Sequence, residues 1–95
     1  MKQSVFDGME YVYAVYREGS FQRASERLFI SQPSISASVR RVEERIGSQI
    51  FDRSVKPLGL TECGKKYISL VEDIMAMERE FTEFVNDWEG LRCGK

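Results

Sequence analysis

Three helical stripes of apolar residues fit into the first 47 positions with almost no chain left to join them, and this economy restricts the fold more than any other feature. Met9, Val12, Tyr13 and Tyr16 recur at steps of three and four, one face of an amphipathic helix that Gly19 ends. Ser20 is placed to cap a second, short helix whose Phe21, Ala24 and Leu28 face inward. Only Phe29, Ile30 and a further cap, Ser31, separate it from a third helix. There Pro33 falls in the first turn, where a missing N–H costs little. Ile35, Val39, Val42 and Ile46 supply the buried stripe of this third helix, and Gly47 stops it.

Beyond Gly47 the texture changes. The stretches QIFDR and LGL are β-compatible and flank SVKP, which predicts a two-stranded ribbon with Ser54 to Pro57 at its tip. A lone hairpin is marginal in water, so Ile50, Phe51, Leu58 and Leu60 are expected to pack back onto the helices. Thr61 then caps a last helix, with Glu62 in its first turn. In it Tyr67, Leu70, Ile74, Met77, Phe81, Phe84 and Trp88 alternate steps of three and four, a heptad seam that Ile68, Val71, Met75 and Val85 widen. A helix from 61 to 88 extends about 40 Å. Only its first turns reach so small a core, and the rest needs a partner.

Several classes of function are excluded at this stage. Ninety-five residues make one small domain, or one domain with an extension. A chain of this length buries roughly 60–65% of its unfolded surface, too little for an extended catalytic cleft. There is no histidine, no glycine-rich phosphate loop and no nucleophile beside a base, so an enzyme is not expected. Cys63 and Cys93 are too far apart for a CxxC site, so neither a metal nor any other cofactor is expected, and both read as unpaired thiols. Asp7 and Glu10 fall where a leader would need an apolar stretch. No apolar run approaches the roughly 20 residues that span a bilayer, so the expected setting is the cytoplasm. The net charge of −1 hides an asymmetry: residues 17–57 carry eight basic against five acidic side chains, residues 58–95 five against eight. The basic excess permits binding to nucleic acid without requiring it.

The exposed side of the third helix is the part that asks for a function. Projected at about 100° per residue, Pro33, Ala37, Arg40 and Glu44 lie opposite the buried stripe, with Ser34, Ser36 and Arg41 on the flanks. Small and hydroxyl-bearing side chains at the N-terminal end allow close approach to base edges in a major groove, and flanking cations suit phosphates. Short helix, tight turn, longer helix and ribbon together make a winged helix-turn-helix. A generic three-helix domain with a solvated serine face satisfies the same spacing, and on spacing alone both readings stand.

Residues 19 to 68 also carry an ordered set of features: Gly19-Ser20-Phe21, Ala24 with Leu28, Ser31-Gln32-Pro33-Ser34, Ser36, Arg41 with Glu43, Gly47, Phe51 with Arg53, and Leu60-Thr61-Glu62 with Gly64. In this set the chain closely resembles the N-terminal domain of LysR-type transcriptional regulators, over about residues 5 to 88. The resemblance implies a mainly α fold: a winged helix-turn-helix of three helices plus a two-stranded wing over residues 1–60, a linker and dimerisation helix over 61–90, and a tail over 91–95. It implies double-stranded DNA as partner, read through a partly palindromic operator, with the recognition helix at about 32–46. It also implies a homodimer in which the linker helix pairs antiparallel with its twin through Tyr67, Leu70, Ile74, Met77, Phe81, Phe84 and Trp88.

By position, Gln32, Pro33, Ser34, Ser36 and Ala37 would lie in the major groove. Ser20 and Ser31, at helix starts, would face phosphates together with Arg23 and Arg40. Arg53 and Lys56 on the wing, 54–57, would reach the backbone or minor groove. Arg41 is either a phosphate contact or an ion-pair partner of Glu44, and Arg27 and Arg45 read as structural. The family often has a long polar or basic residue where this chain has Ala37 and commonly a basic one where it has Gly59, which leaves the wing lightly charged. Those two departures and the net charge of −1 are the best support for the alternative, a winged-helix protein-interaction module without DNA binding. A small-molecule effector would act only through a further domain that this sequence does not contain.

Overall fold

The computed structural model describes residues 3–92. Helices α1 (Met9–Glu18), α2 (Phe21–Leu28) and α3 (Gln32–Ile46) are followed by strands β1 (Phe51–Asp52) and β2 (Gly59–Leu60) and by a long helix, α4 (Glu62–Arg92). Each boundary has a local cause. The Ser20 hydroxyl accepts the Arg23 N–H at 3.0 Å and the Ser31 hydroxyl accepts the Ser34 N–H at 3.2 Å, each satisfying a donor that the helix start leaves free. At the other end of α3, Gly47 adopts φ 83° and donates its N–H to the Glu43 carbonyl, a left-handed stop that a side chain would oppose.

The wing is an antiparallel pair in the register Phe51↔Leu60 and Asp52↔Gly59. Its strands are shorter than QIFDR and LGL suggest. The Asp52 carboxylate accepts both the N–H and the hydroxyl of Ser54, which bends the chain into a turn one residue after the strand. These two bonds, the hydroxyl's first, hold the Asp52 carboxyl below the usual carboxylate range. Thr61 joins the wing to α4. Its N–H and hydroxyl bond the Ile50 and Gln49 carbonyls at 3.0 and 2.6 Å, and its oxygen caps α4 by accepting the Gly64 N–H at 2.9 Å. Gly64 is required at this crossing, because a Cβ there would come within 2.0 Å of the Ile50 carbonyl oxygen.

One core serves all of these elements. Val12 and Val15 from α1, Ala24 from α2, Ile35, Val39 and Val42 from α3, Ile50 and Phe51 from the wing, and Tyr67, Ile68 and Val71 from α4 are all buried. Leu58 and Leu60 pack against this cluster from the edge, as expected of the ribbon. Tyr67 departs from its expected place on the dimer seam. It is 5% exposed, its hydroxyl donates to the Val5 carbonyl at 2.8 Å, and Phe6 stacks on its ring at 5.2 Å. The segment before α1 therefore covers Tyr67, and burial pushes its phenol up to about 12. The other correction is at the far end. The helix runs through Arg92, so residues 91 and 92, expected in a tail, are helical. Gly90 costs about 1 kcal/mol against alanine inside a helix but does not end one. Residues 93–95 lie outside the described part. Past Met75, α4 stands clear of the core and gives the molecule its 56 Å long axis. Among the described residues no helix is long and apolar enough to cross a membrane.

Candidate nucleic-acid interface

The two faces of α3 separate as the spacing predicts. Ile35, Val39 and Val42 are buried, while Gln32, Pro33, Ser34, Arg40 and Arg41 are exposed and Ser36 and Ala37 lie at the margin. Between this face and the wing runs an open groove of about 750 Å³, lined among others by Phe21, Gln32, Ser36, Arg40 and Arg53. A second depression of about 410 Å³ adjoins it, sharing Phe21, Gln32 and Arg53 and adding Ser20 and Lys56. Six residues expected at the site from sequence (Ser20, Gln32, Ser36, Arg40, Arg53 and Lys56) thus line these two adjoining depressions.

The polar atoms along this surface are already oriented. Ser31 donates to the Ser34 hydroxyl oxygen at 2.9 Å while accepting the Ser34 N–H, which leaves the Ser34 O–H as the outward donor. Arg23 is exposed at the first turn of α2, beside the Ser20 cap. Arg41 is exposed as well, but on another side of the helix. Its guanidinium donates to the Ser38 hydroxyl at 3.3 Å, and it lines a small depression with Asp7, Tyr11 and Arg45 rather than the main groove. The structure shows no ion pair between Arg41 and Glu44 among the described residues. Arg45 donates to the Ser4 and Asp7 carbonyls at 3.3 and 2.8 Å, and Arg27 pairs with Glu18 at 3.3 Å, both of them ties within the fold.

The residue that sequence reasoning missed is Glu43. Its carboxylate is buried and accepts the Ile50 N–H at 2.8 Å and the Phe51 N–H at 3.4 Å, pinning the base of the wing to α3. Its other oxygen lies 3.6 Å from the Arg53 guanidinium, which also sits 5.2 Å over the Phe21 ring. Phe21 in turn meets Phe51 edge-on at 5.8 Å. Arg53 is therefore held at the rim of the groove by an anion and an aromatic face. The signal was present: Glu43 follows Val42 by one and Val39 by four, so it falls on the edge of the buried stripe. Phe29 is also new. It is 93% exposed and ends α2 at φ 58°, a conformation that costs a side-chain-bearing residue roughly 1–2 kcal/mol.

The projecting part of α4 exposes its apolar seam. Met77, Phe81, Phe84 and Trp88 are 52–66% exposed, and the last three form a strip with successive ring centroids 6.4 Å apart.

A three-helix core, a tight turn into a helix with a free polar face, and a wing folded against that face define a winged helix-turn-helix domain extended by a projecting helix. Residues 6–65 match the family model described as bacterial regulatory helix-turn-helix protein, lysR family. A probable RuBisCO transcriptional regulator of Cyanidium caldarium is 34% identical over 88 residues, covering 93% of this chain and 28% of that protein. The crystal structure of HinK, a LysR family transcriptional regulator from Pseudomonas aeruginosa, is similar with a TM-score of 0.69 and 30% identity, over 86% of this chain and 26% of that one. A complex of BenM_DBD with catB site 1 DNA is similar with a TM-score of 0.60 and 27% identity, over 85% and 94% of the two chains. The chain belongs to the LysR family of bacterial helix-turn-helix regulators. It spans less than a third of the length of the Cyanidium relative and of the HinK chain.

Proposed function

We propose that this chain is the DNA-binding domain of a LysR-type transcriptional regulator, reading double-stranded DNA with α3 in the major groove and binding a partly palindromic site as a homodimer through α4. The observation that carries the reading is the concavity between α3 and the wing, where Gln32, Ser36 and Arg40 face Arg53 and Lys56. Its similarity to a domain solved on DNA supports it.

In this reading Gln32 offers an amide suited to a bidentate contact with adenine, and Ser34 and Ser36 offer adaptable hydroxyls. Pro33 and Ala37 keep the helix face low enough for apolar contact with thymine methyls. The free N–H groups at the starts of α2 and α3, beside Ser20 and Ser31, face phosphates, and Arg23 and Arg40 add charge there. Lys56 at the wing tip reaches the backbone or the minor groove. The role is one of binding in the cytoplasm, with no reaction catalysed and no cofactor held by this chain. Any effector acts through other parts of a longer regulator.

The alternative, a winged-helix module that binds protein, draws on the net charge of −1 and on the tie between Arg53 and Glu43. Salt dependence separates the two. Each neutralised phosphate contributes roughly −0.9 to the slope of log affinity against log salt. Duplex binding by the parent is expected to fall steeply with salt, and Lys56→Ala to make that slope shallower by about 0.9. A flat salt response in the parent would favour the protein-binding alternative.

A further inference from the structure

The turn ahead of α1 is tied to two helices at once. The Ser4 hydroxyl accepts the Phe6 N–H at 3.0 Å and the Ser4 carbonyl accepts the Asp7 N–H at 3.1 Å, which holds the turn in shape. Its other carbonyl bonds divide between α3 and α4. The Ser4 and Asp7 carbonyls accept the Arg45 guanidinium, from the last turn of α3, at 3.3 and 2.8 Å. The Val5 carbonyl accepts the Tyr67 hydroxyl from α4 at 2.8 Å, and Phe6 stacks on the same ring. Gly8 then leads into α1 at φ 89°, where a Cβ would come within 3.2 Å of Val42 on α3. The turn is thus wedged between the helix with the free polar face and the root of the helix that projects.

We infer that this turn, residues 4–8, is a splint that fixes the angle between α3 and α4, which makes Arg45 and Tyr67 determinants of the spacing at which two half-sites are read. The inference rests on the dimeric reading of DNA proposed above and names what holds its geometry.

The lever is long. α4 crosses the Ile50 carbonyl at Gly64 so closely that no side chain fits, and this crossing is the natural pivot. Tyr67 bears on the splint about one turn further on. Phe81, in the exposed seam, lies 14 positions past Tyr67, about 21 Å along the axis. A tilt of about 10° at Tyr67 moves Phe81 by about 4 Å, more than the roughly 3.4 Å rise of one base pair.

The splint's bonds are also the stiffer ones. Tyr13 on α1 donates to Glu72 on α4 at 3.2 Å, but that bond is exposed and competes with water. Tyr67 is 5% exposed, so its bond and its stack are sheltered. The Arg45 guanidinium brings charge to both of its bonds, and charge-assisted bonds are roughly twice as strong as neutral ones. Neither residue lines the groove between α3 and the wing; Arg45 lines a separate depression with Asp7, Gly8 and Tyr11. Loosening them changes the angle and spares the surface that meets the bases.

The test compares a single half-site with paired half-sites at altered spacing, all taken from the duplex that the parent selects. Arg45→Met keeps the aliphatic stem and removes both carbonyl bonds, and Tyr67→Phe keeps the stack and removes one hydroxyl. They reach the splint from opposite sides, so if one variant fails to fold the other decides. Each is expected to bind the single half-site as the parent does. Each is also expected to lose severalfold of the parent's preference for its own spacing over a site one base pair longer or shorter. Because either break opens the same link, the double variant is expected to lose no more than the more affected single one. Spacing preference kept in full by the folded variants would overturn the splint, as would equal losses at the single half-site and at every spacing. A parent that binds duplex but prefers no spacing would overturn the dimeric reading beneath it.

Discussion

In the proposed reading Gln32 is the residue on which base recognition would most depend, because it is the only long amide side chain on the N-terminal part of α3 and it lines both depressions of the groove. Gln32→Ala is expected to weaken binding to the preferred site by about 1–3 kcal/mol and to relax preference at one base position, with little effect on random duplex. Competition binding against single-base variants of the site checks this, and an unchanged preference would remove Gln32 from the reading surface. At this scale the sequence was readable wherever a residue announced itself by period. Ile35, Val39 and Val42 were placed by spacing alone and Ser36 by its position off that stripe, whereas Gln32 was placed by the resemblance to LysR-type regulators. Tyr67 was misplaced for an equally physical reason. Heptad spacing reports that a side chain needs cover, and it does not say whether a twin or the chain's own N-terminal segment supplies that cover.

The helices were legible as elements because their ends are written in side-chain chemistry. Ser20, Ser31 and Thr61 each cap the helix expected of them, and Gly19 and Gly47 take the left-handed stops. The wing was legible only in outline. The Ser54 turn that shortens it depends on the Asp52 side chain, and its attachment depends on Glu43, a carboxylate whose partners are backbone groups seven and eight positions away. Removing the charge of Glu43 tests that attachment. Glu43→Gln keeps the size but replaces one acceptor oxygen with a donor, and loss of a buried charged acceptor costs about 1–3 kcal/mol. Urea unfolding is expected to show that loss. Duplex affinity is also expected to fall under conditions where the variant is fully folded, because Arg53 and the wing lose their anchor. A variant as stable and as tight-binding as the parent would show that the wing is positioned by its apolar contacts alone.

Over the whole molecule, charge and apolar surface are sorted along the long axis. Basic side chains gather on the winged domain, and the projecting helix is acidic. Asp73, Glu80 and Asp87 recur every seven residues along one flank of the seam, and antiparallel pairing of two copies would set this flank against its own copy. Like charges there oppose pairing, and salt screens them. Rising salt is therefore expected to strengthen the proposed dimer while it weakens the hold on DNA, and titrations of duplex at several salt concentrations should show cooperativity greatest at intermediate salt. The central claim, that this is a dimeric reader of DNA sequence, is met most directly by selecting bound duplexes from a random library with the purified chain at moderate salt. The expected result is an enriched motif of two inverted half-sites with one fixed spacing, set by the dimer. A bound pool as random as the starting library, from a chain shown to be folded and dimeric in the same buffer, would contradict it.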